Sequence, residues 1–143
     1  MINNSLSDYP MHYDLKTRWR DLDAFGHVNN AVYASYIESA RGMLFKKWNL
    51  PFDGKGKSLT VAAISINYLK QLKHPTSLII GQRIIKIGNK SFDVESSIFN
   101  EINKNEPIAV SKVTIVCFDF DKQKSIPVFK QIIDDYNLYK DNL

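Results

Sequence analysis

The chain has 143 residues, 44% hydrophobic and 24% charged, which fits one domain with an apolar core and excludes wholesale disorder. No run approaches the roughly 20 consecutive apolar residues of a membrane span, and the opening MINNSLSDYP does not read as a secretory signal. A lone cysteine, Cys117, excludes an intramolecular disulfide or a multi-cysteine zinc site, and the expectation is a soluble cytoplasmic protein. The net charge of +4 attracts anions such as nucleotide phosphates, but the basic residues are scattered. That reads as a solvated face rather than a nucleic-acid footprint.

Residues 1–10 read as a loose leader, and 12–20 (HYDLKTRWR) as a strand. DLDAFGHVNN then reads as a structured loop. From 31 to 48, Val32, Tyr33, Tyr36, Ile37, Ala40, Met43, Leu44 and Trp48 recur at three- and four-residue steps, which predicts a helix with one broad apolar face. Asn29 or Asn30 supplies its N-cap, and Asn49 with Pro51 its stop. At 1.5 Å per residue such a helix is roughly 27 Å long, enough to cross a domain. SLTVAAISINYLK, TSLIIGQRIIKIG, SFDVESSIFNEI and PIAVSKVTIVCFDF are rich in β-branched and aromatic residues and predict four strands joined by short turns. The tail IPVFKQIIDDYNLY reads as a short amphipathic helix. One helix against a largely antiparallel five-stranded sheet is an α+β layout.

The stretch richest in chemistry runs from Asp21 to Asn30. Two carboxylates, Asp21 and Asp23, stand just upstream of a helix start. The first turn of a helix carries unpaired N–H groups and about half a positive charge, so it can hold a developing oxyanion. A carboxylate beside it can act as base or nucleophile. Gly26 permits close approach of a ligand to the backbone. The competing reading is structural, because Asp-rich loops before helices commonly serve as turns and caps.

The pattern D-x-D-x-x-G-H-V-N-N-x-x-Y-x-x-Y-x-E-x-x-R, complete from Asp21 to Arg41, closely resembles the hotdog-fold acyl-CoA thioesterases of the 4-hydroxybenzoyl-CoA thioesterase family. Ile66–Lys70, Lys90-Ser91-Phe92 and Ile126-Pro127 resemble weaker family segments in the expected order. The resemblance implies a single hotdog domain with its core at about 12–130, a homodimer or homotetramer with active sites between subunits, and no metal or redox cofactor. It implies that Asp23 is the catalytic carboxylate and that the Asn30 backbone N–H polarises the thioester carbonyl. Asp21 matches a structural position, while Gly26, His27, Val28 and Asn29 match the loop that shapes the pocket. Lys90 and Ser91 match positions that contact coenzyme A, where a lysine meets a phosphate as a point charge.

Other residues receive plainer readings. The Tyr33, Tyr36 and Trp48 stripe is core, with Tyr33 also placed to line the acyl pocket. Glu38 and Arg41 form an i, i+3 ion pair by default. Cys117 is a buried small hydrophobe. His12, His27 and His74 are too dispersed for a metal motif, and no G-x-S-x-G elbow or Walker loop occurs. The expected activity is hydrolysis of an acyl-CoA thioester. The alternatives are a non-catalytic acyl-CoA binding or sensing domain and an acyl-carrier-protein thioesterase.

Overall fold

The computed structural model describes residues 4–142. Its elements in chain order are β1 (Met11–Lys16), α1 (Asn30–Lys47), β2 (Lys57–Tyr68), β3 (Ser77–Ile87), β4 (Ser91–Asn100), β5 (Ala109–Asp119), a two-residue β6 (Lys124–Ser125) and α2 (Lys130–Tyr139). The sheet order is β1-β3-β4-β5-β2, antiparallel throughout, with β6 added at the end of β5. The expected five strands are therefore present, and β6 is a short addition to them.

The first strand ends earlier than its alternation suggested. The Asp21 carboxylate accepts the Arg18 N–H at 2.9 Å and turns Trp19–Asp21 into a single 3-10 turn. A side-chain acceptor has displaced the sheet ladder there.

α1 lies across the inner face of the sheet. Tyr33, Tyr36, Ile37, Ala40, Leu44 and Trp48 join one buried cluster with Ile80 and Ile84 of β3, Phe92 and Val94 of β4, and Val113 and Ile115 of β5. Gln82, fully buried, donates to the Ala40 carbonyl at 2.9 Å and ties β3 to the middle of the helix. Register shifts at Val61/Ala63 in β2 and Ile84/Lys86 in β3 add local bend and twist, which lets the sheet curl around α1. α2 docks at the far end of α1, where Asp135 accepts the Trp48 indole N–H at 2.8 Å. The helix predicted in the tail is thus real but starts at Lys130.

The leader is not loose over its described part. Leu6 and Tyr9 are buried against Phe99 on the outer face of the sheet. The Tyr9 hydroxyl bonds Glu95 and Ser97, and Glu95 pairs with Arg83. Gly81 makes the room, because a Cβ there would stand 2.7 Å from the Tyr9 ring. Residues 1–3 of the predicted leader lie outside the described residues.

β2 is an edge strand, and its free side has no partner among the described residues. Val61, Ile64 and Tyr68 sit opposite Ile115, Val113 and Ala109 of β5, which puts them on the α1 side of the sheet. They nevertheless remain 43–44% exposed.

Both ends of α1 are fixed by asparagine. Asn29 is the N-cap and accepts the Ala31 N–H at 2.9 Å. Asn49 takes a left-handed φ of 56°, with its N–H on the Lys46 carbonyl and the Leu50 N–H on the Phe45 carbonyl, a Schellman closure. Asn49→Ala should therefore cost roughly 1 kcal/mol in urea unfolding, whereas Asn49→Gly should cost nothing or stabilise.

Candidate active site

The loop before α1 is closed by its own backbone. Leu22 and Val28 form an isolated antiparallel bridge, and the Asp23 N–H donates to the His27 carbonyl at 2.8 Å. Gly26 sits at φ +80°, a conformation that favours glycine, and reverses the chain. Asp23 is half-buried. Its Oδ1 accepts the Phe25 N–H at 2.8 Å and the His27 N–H at 3.3 Å. Its Oδ2 has no partner among the described residues. One oxygen therefore holds the loop in shape, and the other is available.

Asp21 has a different environment. It is buried at 2% exposure and accepts the Tyr36 hydroxyl at 2.5 Å, the Arg18 N–H at 2.9 Å and the Arg18 guanidinium at 2.9 Å. Its own carbonyl accepts the Asn29 N–H at 2.9 Å. Burial alone would raise its pKa, but the Tyr36 and Arg18 donors outweigh burial and hold it below the usual carboxylate range. Burial pushes the Tyr36 hydroxyl well above its ordinary value, and the Asp21 charge adds to that rise.

The second wall comes from the end of β2. The Leu72 carbonyl accepts the Val28 N–H at 2.8 Å. The Tyr68 hydroxyl donates to the Asn30 carbonyl at 2.9 Å, and its ring meets Tyr33 edge-on with centroids 4.9 Å apart. Loop, helix start and strand end enclose an open cleft of about 640 Å³. Asp23, His27, Val28, Asn30 and Tyr33 all line it, with Phe25 at the loop side and Tyr68 to Leu72 opposite. The Asn29 cap is spent on Ala31, so the Asn30 N–H, first amide of α1, has no acceptor among the described residues.

The structure thus brings five of the sequence-derived site residues into one cleft. Gly26 and Asn29 shape the loop without lining the space. Lys90 and Ser91 lie at the β3–β4 turn, where the Lys90 carbonyl accepts the Cys117 N–H at 2.9 Å, and within one chain they do not reach the cleft. Tyr68 and residues 69–72 were not assigned a site role from sequence. Their signal was the Ile66–Lys70 segment, whose tyrosine falls where a strand leaves the sheet. The expected Glu38–Arg41 ion pair is not formed, and Arg41 Nη1 is enclosed with no hydrogen-bond partner among the described residues. Cys117 is fully buried, which pushes its thiol pKa up. His12 lies against the Leu6 and Tyr9 carbonyls, and His74 against the Thr17 hydroxyl. Among the described residues, no three His, Cys, Asp or Glu side chains gather as a metal site requires. No helix among them is long and apolar enough to cross a membrane.

A curled antiparallel sheet wrapped on one long helix, with a cleft at that helix's amino end, defines the hotdog class of thioesterase-like domains. Residues 17–134 match the Thioesterase-like superfamily, and the chain belongs to it. The long-chain acyl-CoA thioesterase FadM of Escherichia coli (strain K12) is 27% identical over 118 residues, 81% of this chain and 89% of FadM. The chloroplastic acyl-acyl carrier protein thioesterase ATL2 of Arabidopsis thaliana is 32% identical over 109 residues, 74% of this chain. The chain spans only 57% of that plant protein. A thioesterase from Thermus thermophilus, solved with coenzyme A and zinc, superposes with a TM-score of 0.77 at 26% identity, covering 93% of this chain and 96% of its own.

The depressed Asp21 pKa has a signed consequence. Its contribution to stability is present above the unfolded carboxylate value of about 3.9 and is lost as pH falls through the lower folded value. Urea midpoints of the wild type and Asp21→Asn should differ at pH 7 and converge as the pH drops below about 3.9.

Proposed function

We propose that the chain hydrolyses an acyl-CoA thioester to a free carboxylic acid and coenzyme A, with Asp23 as the reacting carboxylate. The observation that carries this reading is the shared cleft. Asp23, with one carboxylate oxygen unpartnered among the described residues, and Asn30, whose N–H at the positive end of α1 has no acceptor among them, both line it. The Asn30 N–H takes the carbonyl oxygen as it gains charge. Asp23 either attacks the carbonyl carbon or removes the proton from an attacking water, and the same geometry serves both routes. The C–S bond breaks, the sulfur leaves as thiolate and takes up a proton, and water supplies the new acid oxygen.

His27, Val28, Tyr33 and Tyr68 shape the space for the thioester. The loop is held by Asp23 itself, so its carboxylate is aligned before substrate arrives. Lys90 and Ser91 meet the coenzyme A phosphates only from a neighbouring subunit, because within one chain they stand away from the cleft. The free edge of β2 supports a homodimer. Two copies of one strand related by a two-fold pair antiparallel, and the pairing satisfies an edge that is otherwise an aggregation hazard. A cytoplasmic location accords with the single buried, unpaired cysteine. An acyl-carrier-protein thioester is the second reading, favoured by the net charge of +4, since carrier proteins are acidic. Steep salt dependence with the carrier-linked substrate, and weak turnover of the coenzyme A ester, would select it.

Asp23→Ala should stay folded, melting slightly lower for want of the Phe25 and His27 contacts, and lose at least ~100-fold in kcat for thiol release from acyl-CoAs. Near wild-type turnover by this variant removes Asp23 from the chemistry. Binding of acyl-CoA by the wild type without thiol release would instead identify a sensor.

A further inference from the structure

Tyr33 is a buried polar group to which the proposed chemistry gives no role beyond shape. It is 2% exposed and packed in the main cluster with Tyr36 and Ile37. The hydroxyls of Tyr9, Tyr36 and Tyr68 are all hydrogen-bonded within the chain. The Tyr33 hydroxyl has no such partner among the described residues. Of their side-chain nitrogens and oxygens that are sealed from solvent, Arg41 Nη1 alone lacks a partner. The Tyr33 hydroxyl is therefore not sealed. It reaches open space, and the space that Tyr33 lines is the Asp23 cleft. Water serves such a hydroxyl in the free chain, and a ligand oxygen entering the cleft takes the water's place.

The neighbours of Tyr33 locate it at the start of the helix. Tyr33 follows Asn30 by three residues, and long side chains on a helix lean back over the preceding turn, toward its amino end. Tyr68 touches both residues. Its ring meets the Tyr33 ring edge-on at 4.9 Å, and its hydroxyl donates to the Asn30 carbonyl at 2.9 Å. The Tyr33 ring and Asn30 thus lie within the length of one tyrosine side chain. Burial raises the Tyr33 pKa, and the adjacent Tyr68 adds to the rise, so the hydroxyl remains a donor at neutral pH. Other donors of the cleft are committed elsewhere. Lys70 is paired with Glu106, Tyr68 is spent on Asn30, and His27 belongs to the loop that carries Asp23.

Resting on the reading of Asp23 and Asn30 as the groups that hydrolyse a thioester, we propose that Tyr33 is a further catalytic residue, its hydroxyl the second donor to the thioester carbonyl oxygen. When Asp23 or water adds to the carbonyl carbon, the C=O electron pair moves onto the oxygen. That oxygen then accepts from the Asn30 N–H and the Tyr33 O–H together. Tyr33 gives up no proton. The electron pair returns as the C–S bond breaks, and both hydrogen bonds weaken again.

Tyr33→Phe removes the oxygen and keeps the ring. No protein partner is lost, so the variant should melt with the wild type. Its kcat for thiol release should fall at least ~10-fold with KM little changed, the pattern of an interaction that strengthens in the transition state. A readout that packing does not move is the infrared carbonyl band of an isotope-labelled acyl-CoA bound to the slowly reacting Asp23→Asn protein. Hydrogen bonds lower that stretch, so adding Tyr33→Phe should return the band toward higher frequency. An unchanged kcat overturns the proposal, as does a lower kcat with an unmoved band. Failure of Tyr33→Phe to fold overturns it too, because a hydroxyl without a protein partner does not hold a fold together. The band also separates this proposal from the reading beneath it. If the wild type binds acyl-CoA without releasing thiol, hydrolysis falls, while a band that shifts with Tyr33 still sets its hydroxyl on the carbonyl oxygen.

Discussion

A carboxylate nearly sealed from water must be given donors, and Asp21 receives them from three directions. Arg18 comes from the chain leaving β1, Tyr36 from the second turn of α1, and the Asn29 N–H, on the Asp21 carbonyl, from the helix cap. This junction fixes where the helix begins relative to the sheet. The position of the Asn30 amide follows from it, and so does the short loop between, whose only freedom is closed by Asp23 folding back on its own backbone. The two aspartates of one motif thus divide the labour. One is buried, charged and committed to architecture, and the other is half-buried with an oxygen to spare.

Much of this was legible before the fold was known. The spacing of Val32 to Trp48 specifies a helix face because side chains three and four apart share a side, and the structure buries most of that face. The four later strands announce themselves by β-branched runs between polar turns. The D-x-D…G-H-V-N-N pattern marks a loop several of whose residues line the cleft, because a loop held by its own hydrogen bonds is a local object and local rules read it well.

What escaped the sequence depends on distant partners. The leader looked loose because its polar residues give no periodic signal. It is anchored by a tyrosine fitting over a glycine some seventy positions away, and no local rule pairs Tyr9 with Gly81. Glu38 and Arg41 have ideal spacing for an ion pair, yet none forms, and a pair worth a few tenths of a kcal/mol is easily forgone where both residues line a cleft against β2 and β5. Tyr68 reads as one more strand aromatic. Only the curl of the sheet carries it over the helix start, where its hydroxyl finds the Asn30 carbonyl.

The anchoring of Tyr9 has a practical side. Residues 4–9 run over the outer face of β3 and β4, while α1 and both clefts occupy the inner face. A reporter or surface tether fused ahead of Asn4 would leave the domain on the convex side, with the full thickness of the sheet between it and the entry path for ligands. Immobilisation from that end leaves the concave side open to solution.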